Sequence, residues 1–229
     1  MPFRFFEQLV DPFPAKQPGR SPRSVYEFCR HYSRGLEPYL LCMALLSTGI
    51  AIVEVALFDV MGRAVDFLAE STPSSLNQDD GVNLLWLALG VLAAYPLLVG
   101  LQSLLLHQTL MGNFPMIVRW LAHRYLLRQS LGFFHDEFAG RIATRLMQTA
   151  LAVRSTVIKL LDIMVYVAVY FLSVLVLFST IDPRLALPLL GWLGLYIAIL
   201  YVVLPRLQSI SERQAGARAL MTGRIADSY

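Results

Sequence analysis

The chain has 229 residues, of which 56% are hydrophobic and only 15% charged, and its mean hydropathy is +0.57. Those proportions exclude an ordinary soluble globule, which cannot keep so much apolar surface out of water. The net charge of +3 and pI near 9.0 would suit a nucleic-acid binder, but the basic residues flank apolar blocks, where an anionic membrane surface accounts for them.

Residues 1–20 read as a cytoplasmic amino-terminal segment. They hold no apolar run of signal-peptide length and are broken by Pro12, Pro14 and Pro18, so the first span is expected to be retained. Residues 21–35 predict a short amphipathic helix, with Ser21 as cap and Pro22 at its first position. Val25, Phe28, Cys29 and Tyr32 recur at helical spacing, with Arg23, Glu27, Arg30 and Arg34 opposite. It is expected to lie in the inner membrane interface, apolar side in the acyl boundary. Cys29 and Cys42 give neither a disulfide framework nor a metal spacing and read as small apolar fillers.

About twenty apolar residues at about 1.5 Å each cross the roughly 30 Å hydrocarbon layer. Four blocks suffice: residues 39–58, 82–106, 160–179 and 185–205. Nothing in hydrocarbon pairs with exposed backbone groups, so each block is predicted to be a helix that satisfies its own, with kinks at Pro96 and Pro188. Span one carries Glu54, with Asp59, Arg63 and Asp66 toward its outer end. Asp59 and Arg63, four apart, are expected to pair on one face. Glu54 has no partner on its own helix and is expected either to face a translocation cavity or to bond a neighbouring helix. Gln102 and His107 on span two read as groups bonded between helices or lining a polar route. Asp162 and Lys159 are placed at the inner interface of span three.

Residues 107–159 far exceed a tight connection. From His107 to Ser130 only Gly112 and Pro115 interrupt a helical pattern, so span two is predicted to continue by roughly 30 Å beyond the membrane. Beyond Gly140, Ile142, Leu146, Thr149, Val153 and Val157 form a stripe that climbs back into span three. The result is a cytoplasmic helical hairpin whose tip, residues 132–138, carries Phe133 and Phe134. Two adjacent rings at an exposed tip each offer about 150 to 250 Å² to a partner. Past span four the helical pattern runs on to Tyr229 without a cap, as a second, truncated hairpin would.

Basic residues sit before span one, between spans two and three, and after span four, whereas residues 70–81 contain acids and no base. This asymmetry predicts cytoplasmic termini and a cytoplasmic hairpin. His31, His107, His123 and His135 have no metal spacing, and neither H-E-x-x-H nor G-x-S-x-G occurs.

The run from Phe133 to Arg145, FFHDEFAGRIATR, resembles the coupling segment of ATP-binding-cassette exporters. Gly62-Arg63-Ala64-Val65-Asp66 and the stretch from Gly223 to Tyr229 are similar to the same family in order and spacing. The resemblance covers nearly the whole chain. It implies an all-α membrane fold of long helices reaching into the cytoplasm, four of an expected six being present in the partial transmembrane domain at 36–229. It further implies an MsbA-like half-transporter of a bacterial inner membrane, moving a lipid, drug, peptide or other solute by alternating access. The implied partners are a second subunit, the lipid bilayer and a nucleotide-binding domain, without nucleic acid. By the same resemblance Phe133, Phe134, His135, Asp136, Gly140 and Arg141 couple to that domain, which would hold ATP and Mg. No G-x-x-x-x-G-K-(S/T) phosphate loop occurs in the chain, so no ATPase activity of its own is expected, and neither a cofactor nor a metal. The alternative is a non-transporting scaffold that recruits a cytoplasmic partner through the hairpin.

Overall fold

The computed structural model describes residues 3–15, 24–70, 79–136 and 139–227. The chain divides into two compact units, Met1–Ser173 and Val174–Tyr229. Every element among the described residues is helical. In the first unit these are α1 (Phe3–Glu7), α2 (Val25–Ser33), α3 (Glu37–Glu70), α4 (Asp79–Leu104), α5 (Met111–Leu126), α6 (Leu131–Asp136) and α7 (Ala139–Lys159). There follows α8 (Val165–Ile181), which runs into the second unit, and α9 (Ala186–Asp227) belongs wholly to that unit. A π-helical turn at Leu105–Leu110 joins α4 to α5, and another at Leu160–Met164 joins α7 to α8.

Four stretches are long and apolar enough to span a membrane: Glu37–Ala69, Gly81–Leu126, Ile142–Ile181 and Pro183–Ser211. The second contains 46 residues, about 70 Å at about 1.5 Å per residue, more than twice the hydrocarbon thickness. Span two therefore does continue well past any bilayer, as its unbroken pattern predicts. The expected outer loop falls largely on residues 71–78, outside the described residues.

Apart from span one, the buried core lies outside the most apolar windows of the spans. It gathers where the helical stripes are amphipathic: Phe114, Ile117, Val118 and Leu121 on α5 meet Ala150, Val153 and Val157 on α7, with Tyr32, Leu36, Leu40 and Met43 completing the cluster. Along the spans, Trp86, Leu97 and Leu172 are more than half exposed. Lipid tails are as apolar as leucine, so the spans gain nothing by hiding such faces from them.

Helix α2 starts at Val25 with Ser24, not Ser21, before it. Residues 21–23 lie outside the described residues. On its apolar side Tyr32 is buried and Phe28 and Cys29 pack on the protein core, while Val25 and Tyr26 are exposed. The stripe at helical spacing is thus divided between the protein core and exposed positions. Burial pushes the Cys29 thiol up, so it stays protonated at neutral pH and behaves as an apolar filler. The corner between α2 and α3 turns at Gly35, whose φ of 96° lies in the left-handed region that favours glycine.

Residues 3–15 form a strap along the second long helix. Thr109 Oγ1 donates to the Phe6 carbonyl at 3.0 Å and Asn113 Nδ2 to that of Glu7 at 3.1 Å. Trp120 Nε1 donates to the Pro14 carbonyl at 3.2 Å, and Arg124 donates to Pro14 and Ala15 at 3.3 and 3.1 Å. From α3, Tyr39 donates to the Leu9 carbonyl at 2.6 Å, while Val10 is buried and Phe13 meets the Trp120 ring edge-on.

In the second unit, the Asp182 carboxylate accepts from the Arg184 N–H at 2.9 Å, with Pro183 next in the chain, so a cap and a proline start the turn into α9. Pro188 is the third residue of α9. In a first turn the missing N–H has no intrahelical acceptor to lose, so the kink expected there has no cause. Pro96 and Pro205 do lie inside their helices.

Candidate functional site: a polar cluster between three spans, and the hairpin tip

Helices α3 and α4 bring two polar pairs together. Gln102 Nε2 donates to Ser47 Oγ at 2.8 Å, and Tyr95 Oη donates to Glu54 at 3.2 Å. Ser47 and Glu54 are seven residues apart, as are Tyr95 and Gln102. Two turns of one helix therefore match two turns of its neighbour running the other way.

The third span supplies Asp162 and Tyr166. Asp162 Oδ1 accepts from Ser47 at 2.8 Å and from Gln102 at 2.7 Å. The Gln102 amide thus gives one hydrogen to Ser47 and one to Asp162, while the Ser47 hydroxyl turns its proton to the carboxylate, a better acceptor than the Met43 carbonyl at 3.0 Å. Tyr166 Oη donates to the other Glu54 oxygen, so both oxygens of that carboxylate are bonded. Ser47 is fully buried, while Gln102 and Asp162 are half-buried, so the loop of three ties three helices together from a buried hydroxyl outward.

Asp162 sits in the middle of the π turn Leu160–Met164. One residue more per turn offsets the following helix face by about 100° relative to a plain α-helix. The carboxylate expected at the inner interface is thereby part of an inter-helix network, half-buried among its partners.

A cavity of about 460 Å³ opens against this network, walled by Glu54, Tyr95, Gln102, Asp162 and Tyr166 with Ile50 and Val99. A second, of about 420 Å³, shares Glu54, Tyr95 and Tyr166 and adds Phe58, Met61 and Tyr170. The Glu54 triad is therefore a partition between two hollows. Glu54 bonds two neighbouring helices and lines both hollows. Gln102 is bonded between helices on the same cavity wall.

Asp59 and Arg63 form an ion pair at 2.8 Å, exposed on one face of α3 and apart from the cluster's hydrogen bonds. Sequence reasoning missed Tyr95, Tyr166 and Ser47. Their signal is the spacing: each lies four or seven residues from another polar side chain within an apolar block.

At the other end of the first unit, α5 and α7 are the limbs of the hairpin and α6 is its tip. The chain leaves α5 through a tight turn in which Arg128 N–H donates to the Tyr125 carbonyl and Gln129 N–H to that of Leu126. Ser130 then starts α6, its carbonyl and hydroxyl both accepting from the Phe133 N–H. The Phe133 and Phe134 rings meet edge to face with centroids 5.4 Å apart, and Phe134 is 41% exposed. For His135 and Asp136 in α6, and Gly140 and Arg141 in α7, the backbone is helical. Residues 137 and 138 lie outside the described residues.

The family profile of the ABC transporter transmembrane region matches residues 40–229. The chain belongs to that family. It is also 40% identical over 228 residues to a Haemophilus influenzae protein described as an uncharacterized ABC transporter ATP-binding protein. The alignment covers 99% of this chain and 37% of that relative's length. No solved structure matches the chain. An ABC transporter membrane domain accounts for the all-α fold, the long apolar helices and their extension beyond a bilayer.

Proposed function

We propose that this chain is the amino-terminal part of the membrane domain of an ATP-driven exporter, with both ends and the hairpin in the cytoplasm of a bacterial inner membrane. A nucleotide-binding domain holding ATP and Mg docks on the tip, and a second subunit completes the solute pathway. The exposed Phe134 at the end of a rigid two-limbed lever carries this reading. An aromatic ring left in water at a helix reversal is a surface awaiting a partner. The lever is stiff because its limbs share a close-packed core, so motion imposed at α6 reaches the spans instead of dissipating in the hairpin. The Glu54 triad and the Asp162 loop lie on the wall that such motion would open and close.

The test is the double substitution Phe133→Ala, Phe134→Ala in the full-length protein, reconstituted in vesicles. ATP turnover is measured with and without the compound that most stimulates the unchanged protein, chosen from a panel of lipids, drugs and peptides. Stimulation is expected to fall at least tenfold with membrane insertion intact. Unchanged stimulation removes the docking role, and a full-length protein without any ATP turnover favours the scaffold reading.

A further inference from the structure

A third hollow, of about 420 Å³, lies away from the polar cluster, where α2, α3 and the α7–α8 junction meet. Its floor is apolar: Leu40 is buried, and Leu41, Ala44, Leu160 and Leu161 line the rest. Its rim is polar. Tyr26 and Arg30 come from α2, and Glu37 begins α3. Arg30 and Glu37, both exposed, are the charged residues that line it. Ser33, also at the rim, is committed elsewhere, since its hydroxyl donates to the Cys29 carbonyl at 2.7 Å.

An apolar trough that ends in one guanidinium and one carboxylate has a specific complement. The trough sits where the apolar stretch Glu37–Ala69 begins, so it opens at the level at which acyl chains meet headgroups. An acyl chain satisfies the leucine floor. A phosphate satisfies Arg30 through paired N–H donors. Glu37 then disfavours a headgroup that is only anionic and favours one that also carries an ammonium, which can donate hydrogen bonds to the carboxylate. We propose that this groove binds a zwitterionic phospholipid with a primary ammonium, of the phosphatidylethanolamine type, its phosphate on Arg30 and its ammonium at Glu37. The site is independent of whatever solute the transporter moves.

Full-length protein in detergent is mixed with equimolar phosphatidylethanolamine, phosphatidylcholine and phosphatidylglycerol, and retained lipid is read by native mass spectrometry. Phosphatidylethanolamine is expected to be retained about tenfold over the other two. Arg30→Ala should lower retention of every phospholipid, whereas Glu37→Gln should abolish the preference for ethanolamine and leave phosphatidylglycerol at least as well held. Both side chains are exposed, so neither change threatens the fold. Leu41→Trp, which fills the trough without altering charge, should displace the lipid in an otherwise unchanged protein. Equal retention of all three lipids by the unchanged protein overturns the proposal, as does a preference for phosphatidylglycerol. So does lipid retention unaffected by all three variants, the result expected if another helix of the full-length protein covers the groove.

Discussion

The hairpin and the spans are built from the same helices but are held together by different forces. Around Phe114 and Val153 the helices are amphipathic, water is the alternative, and side chains interlock in a buried core. Within the spans many apolar side chains lie exposed, and the contacts between helices include Ser47, Glu54, Tyr95, Gln102, Asp162 and Tyr166. Hydrophobicity drives assembly only where there is water to escape from, so the most apolar segments rely on close packing and on their few polar residues.

Breaking the core should have the largest effect. Phe114→Ala removes a fully buried ring and should cost about 3–5 kcal/mol, measured as the shift in a denaturant unfolding curve of the detergent-solubilised protein. A change comparable to that for an exposed span residue such as Leu97→Ala would erase the distinction between the two regions. Asp162→Ala takes the acceptor from two inter-helix bonds, and such bonds are worth about 0.6 kcal/mol each, up to about 1.7. The same titration should show a loss in that range. Tyr39→Phe deletes one hydrogen bond, that to the strap, for about 1 kcal/mol. Faster proteolysis of residues 3–15 should report it locally. At the small end, the exposed Asp59–Arg63 pair is worth about 0.2–1 kcal/mol, so Arg63→Ala should shift stability by no more than that, and less in high salt.

The long helices were legible because composition writes them in blocks, and the hairpin because its stripe recurs at three and four. Glu54 stood out as a charge in an apolar run, but its partners are tyrosines, which pass as ordinary apolar residues. The partners of Asp162 were not legible, because a π turn leaves no mark in composition yet shifts which helix face follows it. The kink expected at Pro188 depended on where its helix begins, and α9 begins two residues before it. The face of α2 was read correctly as apolar, but periodicity says that a face is covered, not by what.

The strap was invisible for another reason, and that reason bears on how the protein can vary. Thr109, Asn113, Trp120, Arg124 and Tyr39 all grip main-chain carbonyls of residues 6–15. What they recognise is the path of the backbone and not the identity of most side chains along it. Such a segment can drift in sequence while its anchoring donors stay fixed. Related transporters can therefore keep the same amino-terminal course with little shared lettering, the constraint being written elsewhere, in Tyr39 and, for the other four donors, more than a hundred residues away.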